Sequence, residues 1–119
     1  MEPNIAVTAL AALAQETRLG IFRLLVEAGP EGVNAGSIAE QMDIPAATLS
    51  FHVAQLVRAG LVMARQESRF IFYSANFPAM DDLIAYLTDN CCQGGASCLP
   101  KTTAVSSSVK GRRPVKKMS

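Results

Sequence analysis

Hydrophobic residues along the first 60 positions recur at helical spacing and give way to a β-like pattern after Gly60. Residues 5 to 13, IAVTALAAL, read as a short apolar helix that is too hydrophobic to stand alone and must pack against another element or another chain. From Glu16, ETRLGIFRLLVEAGPEG sets Leu24 and Leu25 three and four residues after Ile21 and stops at Gly29-Pro30, which predicts a second helix with a stop signal. Ser37 is placed to cap a third helix, with Ile38 and Met42 one turn apart on its buried face, and Asp43-Ile44-Pro45 breaks it. A fourth helix, residues 46 to 59, carries Leu49, Val53, Leu56 and Val57 as one inward stripe and ends at Gly60. GLVMARQESRFIFYS then predicts two strands, 61 to 66 and 69 to 74, turning at Glu67-Ser68 with Arg65 and Arg69 flanking the tip.

Two short helices joined by a three- or four-residue turn, followed by a hairpin, make a winged helix-turn-helix: a mainly α fold with a small β wing. At about 100° per residue, Ala47, Thr48, Phe51, Gln55 and Arg58 face away from the Leu49/Val53 stripe, with Ser50 and His52 on the flanks. Thr, Ser and Gln are short donors and acceptors suited to base edges and phosphates, and Ala47 lets the helix approach a groove closely. An ordinary amphipathic helix with a solvated face shows the same stripe; the hairpin that follows tips the reading toward DNA. Arginines at its tip suit phosphate or minor-groove contact, and they are also commonplace on surfaces.

At 119 residues, 50% of them hydrophobic and with no internal repeat, the chain has material for one core. It offers no apolar run of about 20 residues and no basic start before an apolar stretch, so the expectation is a soluble, cytoplasmic protein whose thiols stay reduced. The formal net charge of +1 hides an asymmetry: the last 19 residues hold six basic side chains and no acid, which leaves −5 for residues 1 to 100. The polar, Ser-rich segment 99 to 119 reads as a disordered basic tail, either a solubilising extension or a phosphate-binding arm. All three cysteines sit in NCCQGGASC, residues 90 to 98. An odd number of clustered thiols in a reducing compartment points to metal binding or reactivity rather than a disulfide framework.

The segment GSIAEQMDIPAATLSFHVAQLVRAGLVMARQESRFIFYSAN resembles the DNA-binding core of the ArsR/SmtB metalloregulatory repressors, through its Ser-x-His-hydrophobic stretch SFHV, its Ala-Gly-Leu-Val exit and its aromatic-Tyr wing strand. The likeness runs from about Glu16 to Tyr86. It implies a homodimer that sits on a palindromic DNA operator and leaves when an inducer binds. The helix at 5 to 13 and a final helix at 78 to 90, PAMDDLIAYLTDN, would form the dimer interface, so that residues 1 to 90 make one DNA-binding and dimerisation domain.

The resemblance brings several familiar inducer sites, and most are absent. Zinc-sensing members carry acids and histidines on the last helix, where this chain has Asp81, Asp82 and Asp89 but no His; others carry Cys-x-Cys before the recognition helix, where GVNAGSIAEQM has none. Cys91, Cys92 and Cys98 remain, in the manner of members whose arsenite site lies near the C-terminus. Zinc prefers four ligands, and the only histidine, His52, is on the helix assigned to DNA. Soft, three-coordinate As(III) is satisfied by three thiolates, and Sb(III) or a methylated As(III) is close in chemistry. On a continuing helix adjacent Cys91 and Cys92 would diverge, so the chain must leave the helix there, while Gly94-Gly95 let Cys98 fold back. Incidental cysteines and an oxidant-sensing thiol pair are the competing readings. An interaction module that does not bind DNA also stays open, because the body is acidic. No triad forms around His52, which leaves it a structural or DNA-contacting residue and makes an enzyme the weakest class.

Overall fold

The computed structural model describes residues 1–94; the expectations for Cys98 and for the tail at 99–119 lie outside the described residues. The elements run α1 (Pro3–Leu13), α2 (Glu16–Ala28), β1 (Val33–Asn34), α3 (Ala35–Met42), α4 (Ala46–Arg58), β2 (Val62–Glu67), β3 (Phe70–Ala75) and α5 (Phe77–Leu87). Together they make one unit, Met1–Leu87, and a second unit starts at Thr88.

The first unit is organised around Ile21 and Leu25 of α2, Ile38 of α3, Leu49, Val53 and Leu56 of α4, and Leu61 and Val62 at the sheet, all essentially buried. Val57, expected in the same inward stripe, is 38% exposed. At about 100° per residue it sits some 80° from Leu49, at the edge of a stripe that three residues already fill. The predicted end of α4 holds: Gly60, at φ +81°, donates to the Val57 carbonyl and Leu61 to the Leu56 carbonyl, so that buried Leu61 closes back over buried Leu56.

The cap of α3 is a correction. Asn34, not Ser37, caps it: the Asn34 Oδ1 accepts the Ser37 N–H at 2.8 Å, and Ser37 is already the third helical residue. Asp43 ends α3 in the left-handed conformation, and Asp43–Pro45 forms the three-residue turn into α4.

The hairpin is shifted by one residue from the expected strands. Glu67 pairs with Phe70, so Ser68 and Arg69 form the turn, and Ser68 takes the positive φ of 59°. A third strand, β1, was not legible: Val33 pairs with Tyr73 and Asn34 with Phe72, giving an antiparallel sheet of order β1-β3-β2. Gly32 makes that pairing accessible, since at φ +82° a Cβ would lie 2.5 Å from the Tyr73 carbonyl oxygen. The final helix ends at Leu87 rather than at residue 90.

In α1 the usual arrangement is inverted. Its buried residues are the alanines Ala6, Ala9 and Ala12, whereas Ile5, Val7 and Leu10 are 49%, 64% and 40% exposed. Among the residues of α5, Leu83 alone is buried, and Ile84 and Leu87 are exposed. No single helix among the described residues is long and apolar enough to cross a membrane.

Candidate nucleic-acid interface and thiol cluster

Helix α4 is fixed to the body by Leu49, Val53 and Leu56, which turns the opposite face outward. Ala47, Thr48, Ser50, Phe51 and Arg58 are exposed there, as expected; His52 and Gln55 are half-buried. Phe51 and Arg58 are seven residues apart, two turns along the line opposite the core.

His52 has a partner that local sequence could not reveal. Arg18, at the start of α2, donates from Nε to the Ala12 carbonyl of α1 at 2.7 Å and places Nη1 3.4 Å from His52 Nδ1. The guanidinium has only donors, so Nδ1 can enter this contact only as the acceptor. Arg18 is itself positioned by Gln15, whose side-chain oxygen accepts the Arg18 N–H at 2.8 Å. An open cleft of about 490 Å³ lies along this junction, lined by Val7 and Thr8 of α1, by Arg18, and by Gln55 and Arg58 of α4. The end of α1 and the outward helix are thus joined through one guanidinium.

On the wing, Arg69 occupies the hairpin turn and is exposed. Arg65, expected at DNA with it, is also exposed and makes surface contacts: Nε donates to Glu67 Oε2 at 2.7 Å, Nη2 donates to the Glu31 carbonyl at 3.1 Å, and the guanidinium lies 5.1 Å from the centroid of the Phe72 ring. These contacts tie the wing to the loop before β1.

The second unit begins with a tight turn. Cys91 N–H bonds the Thr88 carbonyl at 3.0 Å, and Cys91–Gly94 forms a 3₁₀ turn. Asn90 and Cys92 both have positive φ, 59° and 55°. Asn tolerates this conformation, whereas for Cys it is uncommon and costs about 1–3 kcal/mol. It brings adjacent side chains together that a helix would separate, and the Cys91 and Cys92 sulfurs are 3.7 Å apart. Cys91 is half-buried with a free thiol, while Cys92 is exposed and disulfide-bonded. Among the described residues no three His, Cys, Asp or Glu side chains converge on one point. Asp81, Asp82 and Asp89 make no such cluster.

A three-residue turn into an outward helix, beside a three-stranded wing, defines a winged helix-turn-helix regulator of transcription. A family profile described as a helix-turn-helix domain matches residues 13–65. The transcriptional activator HlyU of Vibrio cholerae is 33% identical over 95 residues, 78% of this chain and 85% of that protein. The nodulation protein NolR of Rhizobium meliloti is 30% identical over 88 residues, 74% of this chain and 70% of that protein. Among solved structures, HlyU from Vibrio cholerae aligns at TM-score 0.61 with 33% identity over 78% of this chain and all of that one, and an ArsR-like transcriptional regulator from Rhodococcus aligns at 0.60 with 25% identity over 71% and 76%. The chain belongs to the ArsR family of winged helix-turn-helix transcription regulators.

Proposed function

We propose that the protein is a homodimeric repressor that holds an inverted-repeat operator with α4 and the wing, and lets go when trivalent arsenic is bound by Cys91, Cys92 and Cys98. The observation that carries the inducer assignment is the 3.7 Å approach of the Cys91 and Cys92 sulfurs in a left-handed turn, with the third thiol six residues on. Three thiols displace three hydroxyls from As(OH)₃ to give As(SR)₃ and three waters, and sulfur is the donor a soft centre prefers. Zinc lacks a fourth ligand in this segment.

The dimer reading is supported by α1 and α5. Ile5, Val7 and Leu10 of α1, whose inward residues are alanines, and Ile84 and Leu87 of α5 present large apolar side chains outward, and a twofold axis would double the apolar area removed from water. Two copies of α4 would then read two half-sites. On this reading α4 and the wing meet the operator, α1 and α5 pair the two copies, and the dimer represses by occupying the promoter; HlyU carries the name of an activator, and the position of the operator decides that sign. Release by about 100-fold requires a coupling of about 2.7 kcal/mol between the thiol cluster and the operator.

A second reading has its own observation. Cys92 is disulfide-bonded, and a repressor switched by oxidation would use the same thiols: a peroxide and two thiols give one disulfide and two waters. The two readings separate in one experiment on the operator complex of the reduced full chain. With a phosphine reductant in excess, arsenite releases the DNA if the inducer is As(III). If arsenite leaves that complex intact while peroxide releases it and reductant restores it, the redox reading takes its place.

A further inference from the structure

Phe51 is 60% exposed at the middle of α4, almost directly opposite the buried Leu49, Val53 and Leu56 stripe. Its neighbours one turn away are Ala47 and Ala54, which end at a methyl, and the polar Thr48 and Gln55, so Phe51 is the one large apolar side chain at the centre of this face. Its orientation is held from one flank. The His52 ring packs edge-on against it, centroids 5.4 Å apart at 69°, and His52 Nδ1 faces Arg18 Nη1 at 3.4 Å, while Arg18 Nε holds the Ala12 carbonyl at 2.7 Å. A large apolar ring that the protein braces but does not cover is poised to meet an apolar group elsewhere.

We propose that Phe51 reads a thymine in each half-site by packing on its C5-methyl group, with Arg18 and His52 as positioning residues that set the angle of the ring. The inference rests on the DNA-binding reading of α4. In the major groove the base edges present polar donors and acceptors at every position, and the thymine methyl is the apolar feature a phenyl ring can recognise. The ring cannot satisfy the acceptors of guanine or the amino group of cytosine, so those bases in the same place leave polar edges desolvated against carbon.

The test isolates the methyl. The reduced full chain selects an operator from a random duplex pool, and each thymine is then replaced in turn by deoxyuridine, which removes the methyl alone. One thymine per half-site is expected to be sensitive: its replacement weakens the parent by about fourfold, the worth of burying one methyl-sized group, and replacement in both half-sites by about sixteenfold. Phe51→Ala binds the thymine and deoxyuridine operators equally, and Phe51→Leu retains part of the preference. Arg18→Lys lacks the planar fork that serves Ala12 and His52 at once, so its thymine-to-uracil ratio falls toward one while it stays folded and its dimer mass matches the parent. A ratio that is the same in the parent and in Phe51→Ala at every position overturns the inference, as does a change of oligomeric state in Phe51→Ala, which would put the ring in a protein interface. Recovery of no operator at all removes the DNA-binding reading itself.

Discussion

Ser50 and His52 flank the outward face of α4, and replacing either by Ala is expected to weaken operator binding by about 1–3 kcal/mol while the dimer survives. A mobility-shift titration of both variants checks it, and unchanged affinity in both moves the reading face elsewhere. The two wing arginines part company. Arg69→Ala should lower the salt slope of operator binding by about one unit without altering base preference. Arg65→Ala should leave the slope near that of the parent and lower thermal stability instead, because Glu67, the Glu31 carbonyl and the Phe72 ring lose a shared partner. A full unit lost from the Arg65→Ala slope would return that residue to the phosphate. Both arginines were legible as wing residues from their spacing. The contacts of Arg65 were not, since it meets Glu31 across 34 positions of sequence, the same separation that hides the Arg18 contact with His52.

The helices of the DNA-reading half were legible because each has an apolar period and a stop: Gly29-Pro30 after α2, Asp43-Ile44-Pro45 after α3, Gly60 after α4. What the sequence left open is decided by pairing between distant segments. Val33–Asn34 is too short to show a period, and it becomes a strand only because Tyr73 and Phe72 lie alongside. That pairing also delivers Asn34 to the start of α3 ahead of Ser37, although both residue types can cap. Asn34→Ala is therefore expected to cost about 1 kcal/mol in chemical denaturation and Ser37→Ala much less. Gly32→Ala should cost about 1–3 kcal/mol, because it combines a positive φ with a Cβ against the Tyr73 carbonyl. Equal costs for Asn34→Ala and Ser37→Ala would contradict the cap assignment.

Across the whole molecule, the outward Ile5, Val7 and Leu10 on an alanine-backed helix are the clearest sign that the chain pairs with a copy of itself. Leu10→Glu or Leu87→Glu is expected to give monomers in sedimentation and to abolish operator binding, since one half-site loses the contacts of the other; a monomeric parent would contradict this. The thiols were legible as a cluster from their spacing alone. The way Cys91 and Cys92 approach each other was not, because it depends on positive φ at Cys92, a residue type that rarely adopts it, next to Asn90, which tolerates it.

The central claim, that these thiols sense the inducer, is tested most directly by fluorescence anisotropy of a labelled operator titrated with arsenite under phosphine reductant, using the parent and the Cys91→Ser, Cys92→Ser and Cys98→Ser variants. All four should bind the operator equally, since none of the three lies in α4 or the wing. The parent should release it and each variant should hold it, because a hydroxyl is a poor ligand for a soft centre. Release of all four at the same arsenite concentration would contradict the account.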